Sequence, residues 1–386
     1  MGCNSWIDVD ADALRANVES FRTLLSDGTQ LMVVVKSNAY GHGLELAAQA
    51  MSERVDWFGV NSLDEAEALV ASGIDRPVLI MGHTPHGLAD RVVSGGFRQV
   101  VFRADTVRQL SEAAQAQGAT ARLHLKIETG TNRLGVRVSE LDDFLRGVDG
   151  LPGIHWEGVY THFANIEDTL DPAYATAQLS RFREALAALS AGGVTPELIH
   201  ASASSGAILY PDVQFDMVRV GIGAYGVWPS RETQLAARSR QREVELSPAL
   251  TWKSRLVQAK DVEAGESIGY GRTFQATRKI RVGVVPVGYH DGYNRLLSNR
   301  ASVLVHGRRV PVVGRVAMNM LTVDVTDVDA QVDDEVVLLG GQGASRISAE
   351  ELADICSTIP YEILAGIHPS LPRHLHSWSL GKSRPE

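Results

Sequence analysis

The strongest constraint on this chain's fold is an alternation. Eight short apolar runs, most of them rich in β-branched residues, are separated by longer stretches of Ala, Leu, Glu and Arg at helical spacing. The runs cover residues 31–35, 57–60, 78–81, 99–102, 122–127, 158–162, 197–200 and 217–220. A run apolar on both faces reads as a strand buried on both faces, the pattern of a parallel sheet, and parallel strands need long crossovers. The intervening stretches include 63–71, 106–116 and 174–191, with Ser62 and Asp105 expected to cap the first two as helices. Eight such units over roughly 200 residues predict a (β/α)8 barrel. A doubly wound open sheet is the alternative, because alternation alone does not decide between closure and an open edge.

The flanks read differently. Residues 5–25 predict an entry strand and a helix capped by Asp10 or Asp12. After about Trp228 short apolar strands follow one another with glycine turns, over 250–259, 280–287, 302–305, 309–313, 320–325 and 335–339, interrupted by a helical pattern at 349–356 with Ser348 as its cap. We expect a barrel domain over residues 1–235, a mostly β domain over 236–386 with which the first residues can pair, and a linker at 231–245. The charge of −9 argues against a general nucleic-acid binder. No apolar run is long enough to cross a bilayer and no leader pattern is present. The two cysteines, Cys3 and Cys356, suggest neither a disulfide framework nor a thiolate metal site. A soluble, cytoplasmic protein is the expectation.

The first barrel run ends in Lys36, within LMVVVKSNAYGHG. In α/β folds the carboxyl ends of the strands carry the ligand site. A lysine there is partly desolvated, which favours the neutral amine that condenses with a carbonyl; a surface lysine on a turn is the plainer alternative. The same strand end carries Tyr40, and the other strand ends add Lys126 and Arg133 (KIETGTNRLG), His162 (YTHFAN), His200 and Ser204 (HASASS), and Arg219, Gly221 and Ile222 (VRVGIG). Barrels commonly hold phosphate on the loops after strands seven and eight, where Ser204, Gly221 and Ile222 fall. A carbonyl-binding lysine facing a phosphate cradle suggests pyridoxal 5'-phosphate. GIGAYG matches a dinucleotide-binding glycine pattern, but Pro229 stands where the following helix should begin. Twelve scattered histidines give no metal-ligand spacing.

VVVKSNAYGHG resembles the cofactor-lysine motif of the alanine racemases. KIETGTNRLG, GVYTHFAN, MVRVGIGAYG, IGYGRTF, VGYHDGYNRLLSN, VGRVAMNM and PYEI resemble further motifs of that family in family order, along nearly the whole chain. The resemblance implies a (β/α)8 barrel, a C-terminal β domain, and a homodimer whose sites are completed across subunits. It implies interconversion of L- and D-alanine, supplying D-alanine for cell-wall peptidoglycan. Lys36 would bind pyridoxal 5'-phosphate covalently and act as one acid/base group. Tyr270, in IGYGRTF, would be the other, reaching in from the partner subunit; without the flanking motif it would read as a packing tyrosine. Tyr40, Ser204, Gly221, Ile222 and Tyr361 would hold the phosphate, and His162 would lie against the ring. Arg219 would face the pyridine nitrogen with His200 supporting it. Arg133 would bind near the substrate carboxylate, and Met318 would offer a backbone contact. Lys126 matches a position that carries a carbamate in some relatives.

Three places depart from the family pattern. Asn319 stands where Asp is frequent, Ala203 where Asn is common, and the segment after Tyr361 fits loosely. A racemase of broader range or for serine is the neighbouring reading. A decarboxylase on the same architecture would carry a cysteine motif in the β domain and an acidic partner for the ring nitrogen, which Arg219 contradicts. A cofactor carrier without chemistry would lack the β domain that holds Tyr270.

Overall fold

The structure, a computed structural model, describes residues 4–377. These residues form two compact units. One comprises Arg15–Ser37 with Ala48–Leu246; the other takes the N-terminal segment through Leu14, Asn38–Ala47, and the chain from Ser247 onward.

The chain opens on β1 (Ser5–Asp10) and the helix Ala11–Arg22, whose cap is Asp10: its Oδ1 accepts from the backbone N–H of Asp12 and Ala13 at 3.0 and 2.9 Å. The first unit is then built on β2 (Gln30–Val34), β3 (Trp57–Val60), β4 (Val78–Ile80), β5 (Arg98–Val101) and β6 (Ala121–Glu128). A two-residue β7 (Val136–Arg137) pairs with the end of β6, and β8 (Ile154–Tyr160), β9 (Leu198–His200) and β10 (Met217–Val220) follow. Every barrel neighbour pairs in parallel, and the β5–β6 and β10–β2 ladders close the ring, so the open-sheet alternative is excluded. Side chains fill the interior, with Met32, Trp57, Leu79, Val100, Tyr160, Leu198 and Met217 forming one buried cluster. The barrel is therefore a packed core with an open mouth rather than a pore.

Local physics explains the helix ends. Ser62 caps Leu63–Ala71 in a full capping box with Glu65. Asp105 does not cap the next helix: Ala104–Gln117 begins a residue earlier, and Asp105 in its first turn accepts from the adjacent Thr106 N–H at 2.8 Å. The expected linker is partly helical, because Ser230 accepts from Thr233 N–H at 3.0 Å and starts a helix over Arg231–Ser239.

In the second unit β1 lies between β11 (Leu250–Arg255) and a last strand near the C-terminus. The expected strand at 250–259 is two strands of different sheets, β11 and β12 (Gln258–Val262). A short hairpin, β13 (Ser267–Ile268) and β14 (Phe274–Gln275), precedes β15 (Ile280–Val285), β16 (Ser302–Val305), β17 (Arg308–Pro311), β18 (Leu321–Asp324), β19 (Glu335–Gln342) and β20 (Ser345–Ile347). Ser348 caps Ala349–Cys356 as expected. A second helix, Pro360–Ala365, follows before β21 (Arg373–His376); proline at its first position, where no N–H partner is needed, sets its start.

Candidate active site

Lys36 follows β2 directly, and the chain after it is unusual. Ser37, Asn38, Ala39 and Tyr40 all have φ between 51° and 56°, a left-handed turn built without glycine. Each such residue costs about 1–2 kcal/mol against a right-handed one, so the turn must be held from outside. At its start Ser37 N–H donates to Glu65 Oε1 at 2.7 Å. At its end Asn38 Oδ1 accepts from Leu44 N–H at 3.0 Å and Asn38 O from Gly43 N–H at 3.0 Å. Burial, and then the charge of Arg133, lower the Lys36 pKa, with Glu65 opposing in part. Lys36 is thus biased toward the neutral amine.

On the neighbouring strand Arg219, at the third position of β10, is almost wholly buried and fully engaged on one side. Its Nη1 donates to His200 Nδ1 at 2.9 Å, and Nη2 donates to Thr161 O at 2.9 Å and Ala201 O at 2.8 Å. Among the described residues these bonds leave the Nε hydrogen and one on Nη1 for a ligand. The guanidinium lies 4.8 Å from the centroid of the Tyr160 ring, which stacks at 4.7 Å on His200 and has Lys126 on it at 5.4 Å. Burial pulls Arg219 down to about 10, which leaves it cationic at neutral pH. His162 lies 3.4 Å from Arg219 Nη2 through its Nδ1, and is pushed down to about 3 by burial and by Arg219, Arg133, Lys126 and Lys36. Lys126, buried among Arg133, Arg219 and Lys36, is pushed down to about 8 by that burial and those charges.

The loops after β9 and β10 meet at one hydroxyl. Gly221 N–H donates to Ser204 Oγ at 3.1 Å, and both residues are buried together with Ile222. Gly223 closes that approach: a methyl there would overlap the Phe21 ring, 2.6 Å from Cε2. Arg133 is exposed on a loop that Glu128 holds by accepting its backbone N–H at 3.1 Å.

The second unit collects the remaining candidates. Tyr40 and Tyr361 face each other with ring centroids 6.1 Å apart. Tyr40 is buried and pushed up to about 12 by that burial. Gly41, at φ +84°, passes so close to the helix Pro360–Ala365 that a Cβ would overlap the carbonyl oxygen of Leu364, and Arg373 Nε donates to Gly41 O at 2.8 Å. Tyr270 rides the tip of the β13–β14 hairpin between Gly269 and Gly271, both at positive φ, and is 74 % exposed. Met318 is exposed as well; its carbonyl accepts from His290 N–H at 2.9 Å, so the backbone group it can offer is its N–H.

The structure thus gathers Lys36, Lys126, His162, His200 and Arg219 into one connected set and joins Ser204 to Gly221. In the other unit it brings Tyr40 to Tyr361. Sequence reasoning missed four residues of the barrel set: Tyr160 as the platform beneath Arg219, Thr161 as its carbonyl partner, and His124 and Glu157 behind His200. Tyr160 and Thr161 sit inside the quoted GVYTHFAN; the signal was their position at a strand end beside His162.

A (β/α)8 barrel with a desolvated lysine after its first strand, a buried arginine on its last and a further β unit defines a class of two-unit barrel proteins. Comparison with known proteins narrows the class. The family model for the alanine racemase N-terminal domain matches residues 9–229 and that for the C-terminal domain matches residues 249–375. An alanine racemase of Syntrophobacter fumaroxidans is 43% identical over 377 residues, covering 97% of this chain and 98% of its own length. Among solved structures, the alanine racemase of the D-cycloserine producer Streptomyces lavendulae is 33% identical with a TM-score of 0.91, covering 98% of both chains. That of Bartonella henselae, with covalently bound pyridoxal phosphate, is 25% identical with a TM-score of 0.84, covering 97% of this chain and 100% of the other. The chain belongs to the alanine racemase family, a family of isomerases.

Proposed function

We propose that this chain interconverts L- and D-alanine with pyridoxal 5'-phosphate as a homodimer, using Lys36 and Tyr270 of the partner subunit as two acid/base groups. The observation that carries the reading is the barrel-mouth set, in which an amine biased toward neutrality and a buried guanidinium with free donors accompany a hydroxyl bonded to a glycine N–H. That donor set suits the cofactor. An amine can condense with its aldehyde, an N–H donor can meet its ring nitrogen, and hydroxyl and backbone donors can meet its phosphate. When bound, pyridoxal 5'-phosphate supplies a conjugated ring that delocalises the electron pair left as the α-proton departs.

Racemisation needs a base on one face of the α-carbon and an acid on the other. Lys36 takes or returns the proton on one face and Tyr270 on the opposite face, with the roles exchanged in the reverse direction. Ser204, Gly221 and Ile222 would hold the phosphate, as by the resemblance would Tyr40 and Tyr361, and His162 would pack against the ring. Arg219, held by His200, donates to the ring nitrogen without surrendering a proton. A guanidinium in that place would draw less electron density from the ring than a carboxylate-paired ring nitrogen would, which would favour prompt reprotonation over side reactions. Arg133 and the N–H of Met318 bind the substrate carboxylate. Acting in the cytoplasm, such an enzyme would supply D-alanine for peptidoglycan.

Incubation of the cofactor-loaded protein with L-alanine in deuterated water tests the reading. Loss of optical rotation with one deuterium entering the α-carbon is expected, abolished by Lys36→Ala and strongly slowed by Tyr270→Phe. Exchange without inversion in the wild-type protein would refute the two-base assignment. Turnover of serine in preference to alanine would refute the substrate.

A further inference from the structure

Behind Arg219 and the His200 that holds it, the barrel interior continues a line of polar groups that the proposed chemistry does not use. His200 Nε2 lies 2.9 Å from His124 Nδ1, and His124 Nε2 lies 3.2 Å from Glu157 Oε2. Glu157 in turn accepts from Arg98 Nε and from Arg122 Nη1, each at 3.1 Å. His200 and His124 are fully buried and Glu157 nearly so.

The two ends fix the direction of every bond between them. A guanidinium only donates, so His200 Nδ1 must accept from Arg219; a neutral imidazole that accepts at Nδ1 donates from Nε2. His124 must then accept at Nδ1 and donate from Nε2, which is what a carboxylate at Glu157 requires. No proton can be added to either ring without setting two N–H groups against each other. Burial disfavours the charged form of both histidines as well, and the hydrogen bond from His124 with the charge of Arg98 outweighs burial at Glu157 to hold its carboxyl at about 2. Aligned bonds of this kind polarise one another in a low-dielectric interior.

Two local irregularities seat this line. On the β6–β8 ladder Leu123 pairs with Trp156 but His124 pairs with Gly158, so Glu157 is the extra residue of a bulge. A bulge re-aims a side chain; strict alternation would send Glu157 to the face opposite Gly158 and Tyr160. Gly158 leaves the room that the His124 ring fills, since a Cβ there would lie 2.5 Å from Cε1 and 2.8 Å from Cγ of that ring.

We propose that His124 and Glu157 are positioning residues for Arg219: through a one-directional chain of hydrogen bonds they lock His200 as its Nε2–H tautomer, whose bare Nδ1 orients the guanidinium and keeps it cationic toward the cofactor ring. The proposal deepens the reading that Arg219 meets that ring and rests on it for its catalytic consequence. His124 and Glu157 act only through His200.

The test is nitrogen-15 NMR of histidine-labelled protein, loaded with pyridoxal 5'-phosphate, with the absorption band of the bound cofactor followed against pH in the same samples. In the wild-type protein both His124 and His200 should show a protonated Nε2 and an unprotonated Nδ1 from pH 6 to 9. His124→Phe removes the acceptor for His200 Nε2–H; His200 should lose its fixed tautomer, the cofactor band should acquire a new pH dependence, and kcat should fall on the order of tenfold with KM little changed. His124→Gln restores an acceptor and a donor in the same order, and should recover the His200 signature and the band. A cationic or Nδ1–H His200 in the wild-type protein overturns the proposal, and that spectrum needs no variant to fold. An unchanged His200 signature in His124→Phe overturns it too. A His200 that loses its tautomer in His124→Phe while band and kcat stay as in the wild type supports the chain and counts against the placement of Arg219 at the ring.

Discussion

Replacing Gly158 by alanine should be costly for a reason that has nothing to do with backbone freedom. Gly158 sits beside the bulge of β8 but has no positive φ, so alanine suits its conformation; the obstacle is the His124 ring, whose Cε1 lies 2.5 Å from where the new methyl would sit. Ordinary van der Waals contact begins near 3.4 Å, so the ring must retreat by roughly 1 Å. The His124–His200 bond of 2.9 Å then passes beyond hydrogen-bonding range. A buried N–H left unpaired costs about 1–3 kcal/mol and overpacking about 1–3 kcal/mol, so the loss should be about 2–6 kcal/mol. Urea unfolding followed by tryptophan fluorescence reads it, because Trp57 packs edge-on to His124 at 5.7 Å. The midpoint should fall at an unchanged slope. Paired with His124→Ala, which empties the space, the same substitution should become neutral or stabilising by about 0.4–1 kcal/mol, the gain from a stiffer unfolded chain. A loss below about 1 kcal/mol in the wild-type background, or an equal loss in both backgrounds, would refute the packing argument.

Gly41→Ala should loosen cofactor binding before it affects turnover of the loaded enzyme, because its Cβ would overlap the Leu364 carbonyl at φ +84° and part Tyr40 from the helix carrying Tyr361; equilibrium dialysis of pyridoxal 5'-phosphate measures it. Lys126, at about 8, carries a neutral fraction that can add carbon dioxide, forming an N–C bond and releasing one proton, so protein in labelled bicarbonate should show a carbamate carbon-13 resonance that Lys126→Ala abolishes. That variant should raise KM for alanine more than it lowers kcat, since the anion would steady Arg133; an unchanged KM would count against the role. Acid should destabilise the barrel steeply. His124, His162 and His200 have pKa values depressed in the folded state, so the unfolded chain binds protons that the native one excludes, and stability falls as pH drops below about 6.5 toward the lower folded values. Each such group adds up to about 1.4 kcal/mol per pH unit to that fall, readable from urea midpoints; a flat profile between pH 7 and 5 would refute it.

What the sequence discloses and what it hides divide along a physical line. Lys36, His162, His200 and Arg219 were legible because each stands at or near the end of a run whose apolarity marks a strand, with Arg133 on the loop that follows one, and a barrel turns eight strand ends into one place. Tyr270 is proposed only through IGYGRTF, since a tyrosine on a hairpin of two short strands has no pattern of its own. The left-handed turn after Lys36 was invisible: nothing in Ser37, Ala39 or Tyr40 asks for positive φ, and one of the bonds that hold the conformation comes from Glu65, far along the chain. Glu157 shows the limit most clearly. Read by alternation, WEGVY puts Trp156, Gly158 and Tyr160 on one face and Glu157 on the other, where a carboxylate would be solvated. The bulge sends it inward instead, to end a line of donors that starts at Arg219. A register shift belongs to the pairing of two strands and not to either sequence. A carboxylate buried at small exposure, between two arginines and a histidine, is a position that only the folded ladder can assign.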